Sequence, residues 1–189
     1  LFATGLLRQR GWRLRFEHAG GQRAARRLAL SRSDLPKLHR RLADAWEELG
    51  QRTGADVDLP LGSHSLYANE PGRAMTPLLK AARVAREEGR ASISLDAARL
   101  AITAADRAGM MMGRVEARHE TAAALLALEH SDKAAQTIAD AYALGHLDRR
   151  SIARLQVLEA RAAIAMGKLE QGRKVLEKAK ETFMATRDR

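Results

Sequence analysis

Residues 151–183 read SIARLQVLEARAAIAMGKLEQGRKVLEKAKETF. Two runs of helical length flank Gly167, with apolar residues at helical spacing and small residues where the two would press together. The second run is amphipathic: Val175, Leu176 and Ala179 are expected to point inward, while Lys174, Glu177, Lys178 and Glu181 stay in water. Gly172 and Ala179 stand seven residues apart, and that spacing recurs at Ala74 and Ala81 and at Ala134 and Ala141. Small residues so placed let neighbouring helices approach closely. A hairpin that cannot bury its apolar face alone must stack on the next one, so the pattern predicts an all-α fold of stacked antiparallel hairpins.

Working upstream, Gly89, Gly109 and Gly145 mark helix stops like Gly167. Helices are expected near 72–88, 91–108, 113–128, 132–144, 150–166 and 169–185, joined by connections short enough to make neighbours antiparallel. Pro77 is the last of four prolines. It falls inside the first of these helices and is expected to bend it or leave one carbonyl unpaired. Before it, Ser33 or Asp34 is placed to cap a helix that begins near Pro36, carries Leu38, Leu42, Ala45, Trp46 and Leu49 as its stripe, and ends at Gly50. QRTGADVDL at 51–59 reads as a polar linker, and a short helix follows from Pro60 to Ala68. At the start of the chain, residues 2–10 read as the end of a helix stopped by Gly11, and residues 12–16 alternate as a short strand. The chain thus divides into 1–32, a partial winged-helix or α+β remnant, and 33–189, a helical repeat domain.

Composition bounds the function. The 189 residues contain 4% aromatics and no cysteine, so alanine and leucine must supply the burial, and disulfide and thiol chemistry are excluded. The absence of cysteine, of an 18-residue apolar run and of a signal-peptide pattern points to the cytoplasm. The opening LFATGLLRQRGW reads as a cut through a larger protein. Of the net charge of +10, residues 1–41 supply +9 and the remaining 148 supply +1, so any basic surface is local. No glycine-rich phosphate loop, kinase catalytic loop or metal-ligand spacing of the histidines at 18, 39, 64, 119, 130 and 146 occurs. This segment is therefore not expected to be an enzyme or to hold a cofactor or metal; His39 and His64 are read as helix-packing or capping residues, and His18 as lining the seam to a missing module.

The last hairpin resembles a tetratricopeptide repeat at Ala160, Gly167, Leu169, Leu176 and Ala179, with Gly172 where alanine is usual and Gln156 in place of the repeat's early tryptophan. The preceding unit fits at Ala122, Ala134 and Ala141, offset by 38 residues. A second resemblance covers the first 85 residues: Phe16, Glu17 and His18, then Leu38, His39, Arg40 and Arg41, then His64, Ala68, Pro71, Arg73 and Ala74. These look like the region downstream of the nucleotide-binding core in large bacterial signalling ATPases, among them activators related to the maltose regulator and serine/threonine kinases fused to an ATPase-like module. The chain departs from that pattern at 19–30, AGGQRAARRLAL, and at Ser63. The resemblance implies a winged-helix element leading into a right-handed tetratricopeptide-like solenoid, in a parent protein bearing an ATPase, a kinase, both or neither.

In such a repeat the first helix of each hairpin lines a concave groove. That would present Arg154, Val157, Arg161 and Ile164 from the last unit, and Glu116, His119, Ala123 and Leu126 from the one before. Arginines beside apolar positions suit a carboxylate with a docked side chain next to it. The contiguous Met110, Met111 and Met112 cannot all face one way, so part of the run is free as an adaptable contact or fills core. The basic cluster is Arg8, Arg10, Arg13, Arg15, Arg23, Arg26, Arg27, Arg32, Arg40 and Arg41; it suits phosphates, yet lacks a complete helix-turn-helix or aromatic interleaving beyond Trp12 and Phe16. The expected function is a protein-interaction and regulatory segment that binds a protein domain or peptide, in the same polypeptide or another, or a small-molecule effector; the alternative is a nucleic-acid-binding helical module using residues 8–41.

Overall fold

A computed structural model describes residues 7–10, 13–16, 18–20, 23–24, 27, 34–145 and 147–187. Eight helices follow one another from Leu35 onward. They are α1 (Leu35–Thr53), α2 (Asp58–Tyr67), α3 (Pro71–Glu87), α4 (Ala91–Ala108), α5 (Met111–Ala127), α6 (Ser131–Ala143), α7 (Arg149–Ala165) and α8 (Leu169–Arg187). Each packs on its predecessor, and in addition α2 touches α4, α3 touches α5 and α5 touches α7. The helices α4, α6 and α8 make no comparable contact with one another. The first helices of the pairs therefore form the tight layer, and the core is a string of small clusters, not one centre.

Alanine makes this packing possible. Among the described residues, twenty-two of the thirty-three buried apolar residues are alanine, including both members of the pairs Ala74/Ala81 and Ala134/Ala141. One cluster joins α2 to α5 through Leu66, Met75, Leu78, Ala101, Ala105 and Ala117. Another joins α5, α6 and α7 through Val115, Ala122, Ile138, Ala141 and Leu155. Gly62 and Gly172 extend the same logic. A Cβ on Gly62 would stand 2.6 Å from Leu78 Cγ, and one on Gly172 would stand 2.5 Å from Ile164 Cγ1. The stops at Gly89, Gly109, Gly145 and Gly167 all have positive φ, which costs glycine nothing.

Four local expectations are corrected. Residues 7–10 are not the end of a helix: Leu7–Arg10 is a strand (β1), paired antiparallel with Arg13–Phe16 (β2) in the register Leu7 to Phe16. The rest of 1–32 that would belong to a winged element lies largely outside the described residues. Helix α1 does not end at Gly50 but runs to Thr53, capped by left-handed Gly54. Gly50 is kept inside it because Val57 Cγ2 occupies the space of a Cβ, at 2.6 Å. The linker shrinks accordingly, and α2 begins at Asp58. Only the end of the α1 stripe is covered, Trp46 and Leu49 being half-buried and Ala45 exposed. Leu38 is 50% exposed and Leu42 is 37% exposed, while Ala43 is fully buried. On α8, Leu176 is 41% exposed, so only Val175 and Ala179 turn inward. Pro77 lies within α3 without ending it, although Arg73's carbonyl loses the N–H that would reach it from that position.

Candidate functional site

Helices α3, α5 and α7 lie side by side, and the charged residues on their shared face converge on one carboxylate. Glu120 sits in the run HETAAALLA (119–127), where its neighbours on α5 are buried alanines, and its own side chain is 1% exposed. From α3, Arg83 Nε and Arg86 Nε each donate to it at 3.2 Å, one to each oxygen. From α7, Arg154 Nη2 lies 3.7 Å from Oε1. Arg83 also reaches Glu116 at 3.5 Å. Burial alone would push the Glu120 carboxyl up. The hydrogen bond and charge of His119 and the charge of Arg86 outweigh it and hold the group down at about 2.

His119 Nδ1 stands between two groups with opposite demands. Arg154 Nη2 is 3.2 Å away and Glu120 Oε1 is 3.5 Å away. A guanidinium N–H needs a lone pair on that nitrogen, and a carboxylate needs a proton there. In the neutral ring with a bare Nδ1 the Arg154 bond forms; a protonated Nδ1 donates to Glu120 instead.

The three guanidiniums remain reachable from solvent: Arg83, Arg86 and Arg154 are 42%, 34% and 33% exposed. The space among Val115, Glu116, His119 and Arg154 amounts to about 10 Å³, so the helices are closed against each other and a ligand would lie across this face. Of the other residues expected to line it, Val157 is half-buried and Arg161 exposed on α7, while Ile164 spends part of its surface against Gly172. Sequence reading brought Arg154, His119 and Glu116 together. It missed Arg83, Arg86 and Glu120, whose signal was a glutamate inside a buried alanine run.

A second polar junction fastens α1. Arg73 of α3 reaches Asp44 at 2.7 Å, Glu47 at 2.6 Å and Glu70 at 3.2 Å, and Arg40 pairs with Glu70 as well. Beside it, His39 Nδ1 and His64 Nδ1 share one proton across 2.8 Å, and Tyr67's ring lies 5.2 Å from that of His39. Burial lowers both histidines, and His39 adds charge repulsion at His64. Both residues thus serve as a packing contact between α1 and α2.

Of the basic cluster, Arg8, Arg10, Arg13 and Arg15 lie on the hairpin, the register setting Arg8 opposite Arg15 and Arg10 opposite Arg13. Arg23, Arg27 and Arg41 are exposed, and Arg40 is tied to Glu70. Arg26 and Arg32 lie outside the described residues. Met110, Met111 and Met112 are all exposed. Among the described residues no three histidine, aspartate or glutamate side chains are grouped to hold a metal, and no helix is long and apolar enough to cross a membrane.

Helix pairs in sequence, with contacts between elements one or two apart and one closely packed layer, form an all-α stack consistent with a helical-repeat arrangement. No protein-family model, curated protein or solved structure matches the chain.

Proposed function

We propose that this chain is a protein-interaction and regulatory segment, docking an acidic peptide or partner domain across α3, α5 and α7. The observation that carries the reading is the buried Glu120 of α5, which aligns Arg83 and Arg86 from α3 and Arg154 from α7 and leaves each guanidinium part-exposed. The three guanidiniums meet three carboxylates, Glu87, Glu116 and Glu120, yet each has five N–H donors and these contacts leave donors on the exposed side for a partner carboxylate. The tetratricopeptide-like hairpins, with this layer as a concave groove, and the resemblance to a region downstream of a signalling ATPase support a role in passing a bound state to another domain.

Fluorescence anisotropy with a labelled hexapeptide of alternating leucine and glutamate tests the reading. Binding is expected to be saturable and to weaken about tenfold in Arg154→Ala and in Arg83→Ala, each loss being that of one charge-assisted contact. Absence of binding, or binding indifferent to both substitutions, would contradict it. A titration of the same protein with duplex DNA separates the alternative. Tight binding that weakens steeply with salt and is lost on replacing Arg23, Arg27 and Arg41 would favour the nucleic-acid reading.

A further inference from the structure

The connection from Leu144 to Asp148 is longer than the two- or three-residue turns elsewhere between α3 and α8. Beyond it, between α6, α7 and α8, a cleft of about 820 Å³ opens, within the range of small-molecule sites. Its wall is apolar at Leu147, Ile152 and Val175. Its polar groups come from one stripe of α7, Gln156 and Glu159, and one of α8, Lys178 and Thr182. Arg154 points from another side of α7, so this cleft is separate from the arginine face.

Glu159 is half-buried and accepts from the Tyr142 hydroxyl at 3.2 Å, while burial and that same carboxylate push the phenol well above its usual range and keep it a donor. Among the described residues no cation pairs with Glu159 and no carboxylate pairs with Lys178, although both line the cleft. Gln156 is 4% exposed. The Thr182 hydroxyl has one proton for two acceptors, the Lys178 carbonyl at 2.8 Å and Gln156 Oε1 at 3.2 Å. The shorter bond takes the larger share, so the Gln156 oxygen keeps capacity to accept from a ligand.

A carboxylate, an ammonium, a buried amide and an aliphatic wall in one cleft complement a molecule with opposite charges at its ends. We propose that this cleft binds a small apolar zwitterion, an amino acid or dipeptide with both termini free. Its ammonium pairs with Glu159 and the Gln156 oxygen, its carboxylate pairs with Lys178, and its side chains lie on Leu147, Ile152 and Val175. The failure of this site would leave the arginine-face reading untouched.

The test is an NMR titration of the isotope-labelled chain with L-leucine and with L-leucyl-L-leucine, the two arms distinguishing amino acid from dipeptide. At least one is expected to bind saturably, with shifts centred on 142–159 and 175–182. Affinity is expected to fall about tenfold in Glu159→Gln, which keeps an acceptor for Tyr142, and about tenfold in the surface variant Lys178→Met. N-acetyl-leucyl-leucine and leucinamide, each lacking one charge, are expected to bind as weakly as those variants. No saturable binding of either probe to the wild-type chain would overturn the proposal. So would acetylated or amidated ligands that bind as well as the free ones.

Discussion

Glu120 stays ionised where water barely reaches it because three helices each bring a positive or hydrogen-bonding group to it. Removing its charge leaves Arg83, Arg86 and Arg154 facing one another. Glu120→Gln is expected to cost about 3 kcal/mol, the lower end for breaking a buried pair, and to lower Tm by about 10 °C. Glu116→Gln, a more exposed site with one long contact, should cost less than about 1 kcal/mol. Equal losses in the two variants, read by thermal denaturation, would refute the hub role. The pH dependence has a definite sign. The group lies at about 2 in the fold against an ordinary 4.5, so its contribution is complete above 4.5 and is lost as pH falls from there toward 2. Tm curves of the wild type and Glu120→Gln should therefore converge over that interval. Arg154 and His119 were legible because each lies on the stripe that the first helix of its hairpin is expected to turn toward the shared layer. Glu120 was not, because a lone charge among alanines reads as a solvated position until the facing helix supplies its arginines.

Helix α1 shows how far an amphipathic pattern can mislead. Its leucines predicted a buried stripe, yet Leu38 and Leu42 are exposed, and its docking rests on Ala43, the half-buried Trp46 and Leu49, the Arg73 ion pairs and the His39–His64 bond. The Nδ1–Nδ1 bond needs one bare nitrogen, so it survives protonation of one ring and is lost when both are charged. Both histidines are lowered below 6.5, so this junction contributes fully above 6.5 and weakens as pH falls below it. His64→Gln keeps a donor for His39 without titrating. Between pH 7.5 and 5.5 its Tm should fall less than that of the wild type, a window well above that of Glu120; parallel curves would exclude the pair as a proton-linked contact. Close approach between elements is equally testable. Gly62→Ala drives a Cβ into Leu78, an overpacking cost of about 1–3 kcal/mol that exceeds the gain in helix propensity of about 1 kcal/mol or less. In Gly172→Ala the clash is with Ile164 Cγ1, so adding Ile164→Ala should restore most of the lost denaturation midpoint. Stability unchanged in Gly62→Ala, or no relief from the second substitution, would mean these helices stand farther apart. The six downstream helices were legible to within about two residues because glycine stops bracket periodic runs. Gly50 was misread because a glycine needed for contact with Val57 looks, in sequence alone, like one that ends a helix.

At the scale of the molecule, every extensive contact between helices among the described residues joins elements one or two apart in the chain. A fold so connected is held by neighbour terms, with no central core to which distant segments contribute. Alanine spacing predicted the stacking. The ion cluster that ties α3, α5 and α7, and the cleft behind them, depend on which faces meet, and periodicity does not carry that. The most direct test of neighbour-only stacking uses the absence of native cysteine. Spin labels on Lys180→Cys of α8, paired in turn with Lys133→Cys of α6, Asp96→Cys of α4 and Gln51→Cys of α1, give three distances by pulsed electron resonance. Stacking predicts that they increase in that order. A label on α1 found as close to α8 as the label on α6 would mean a closed bundle and would contradict the account.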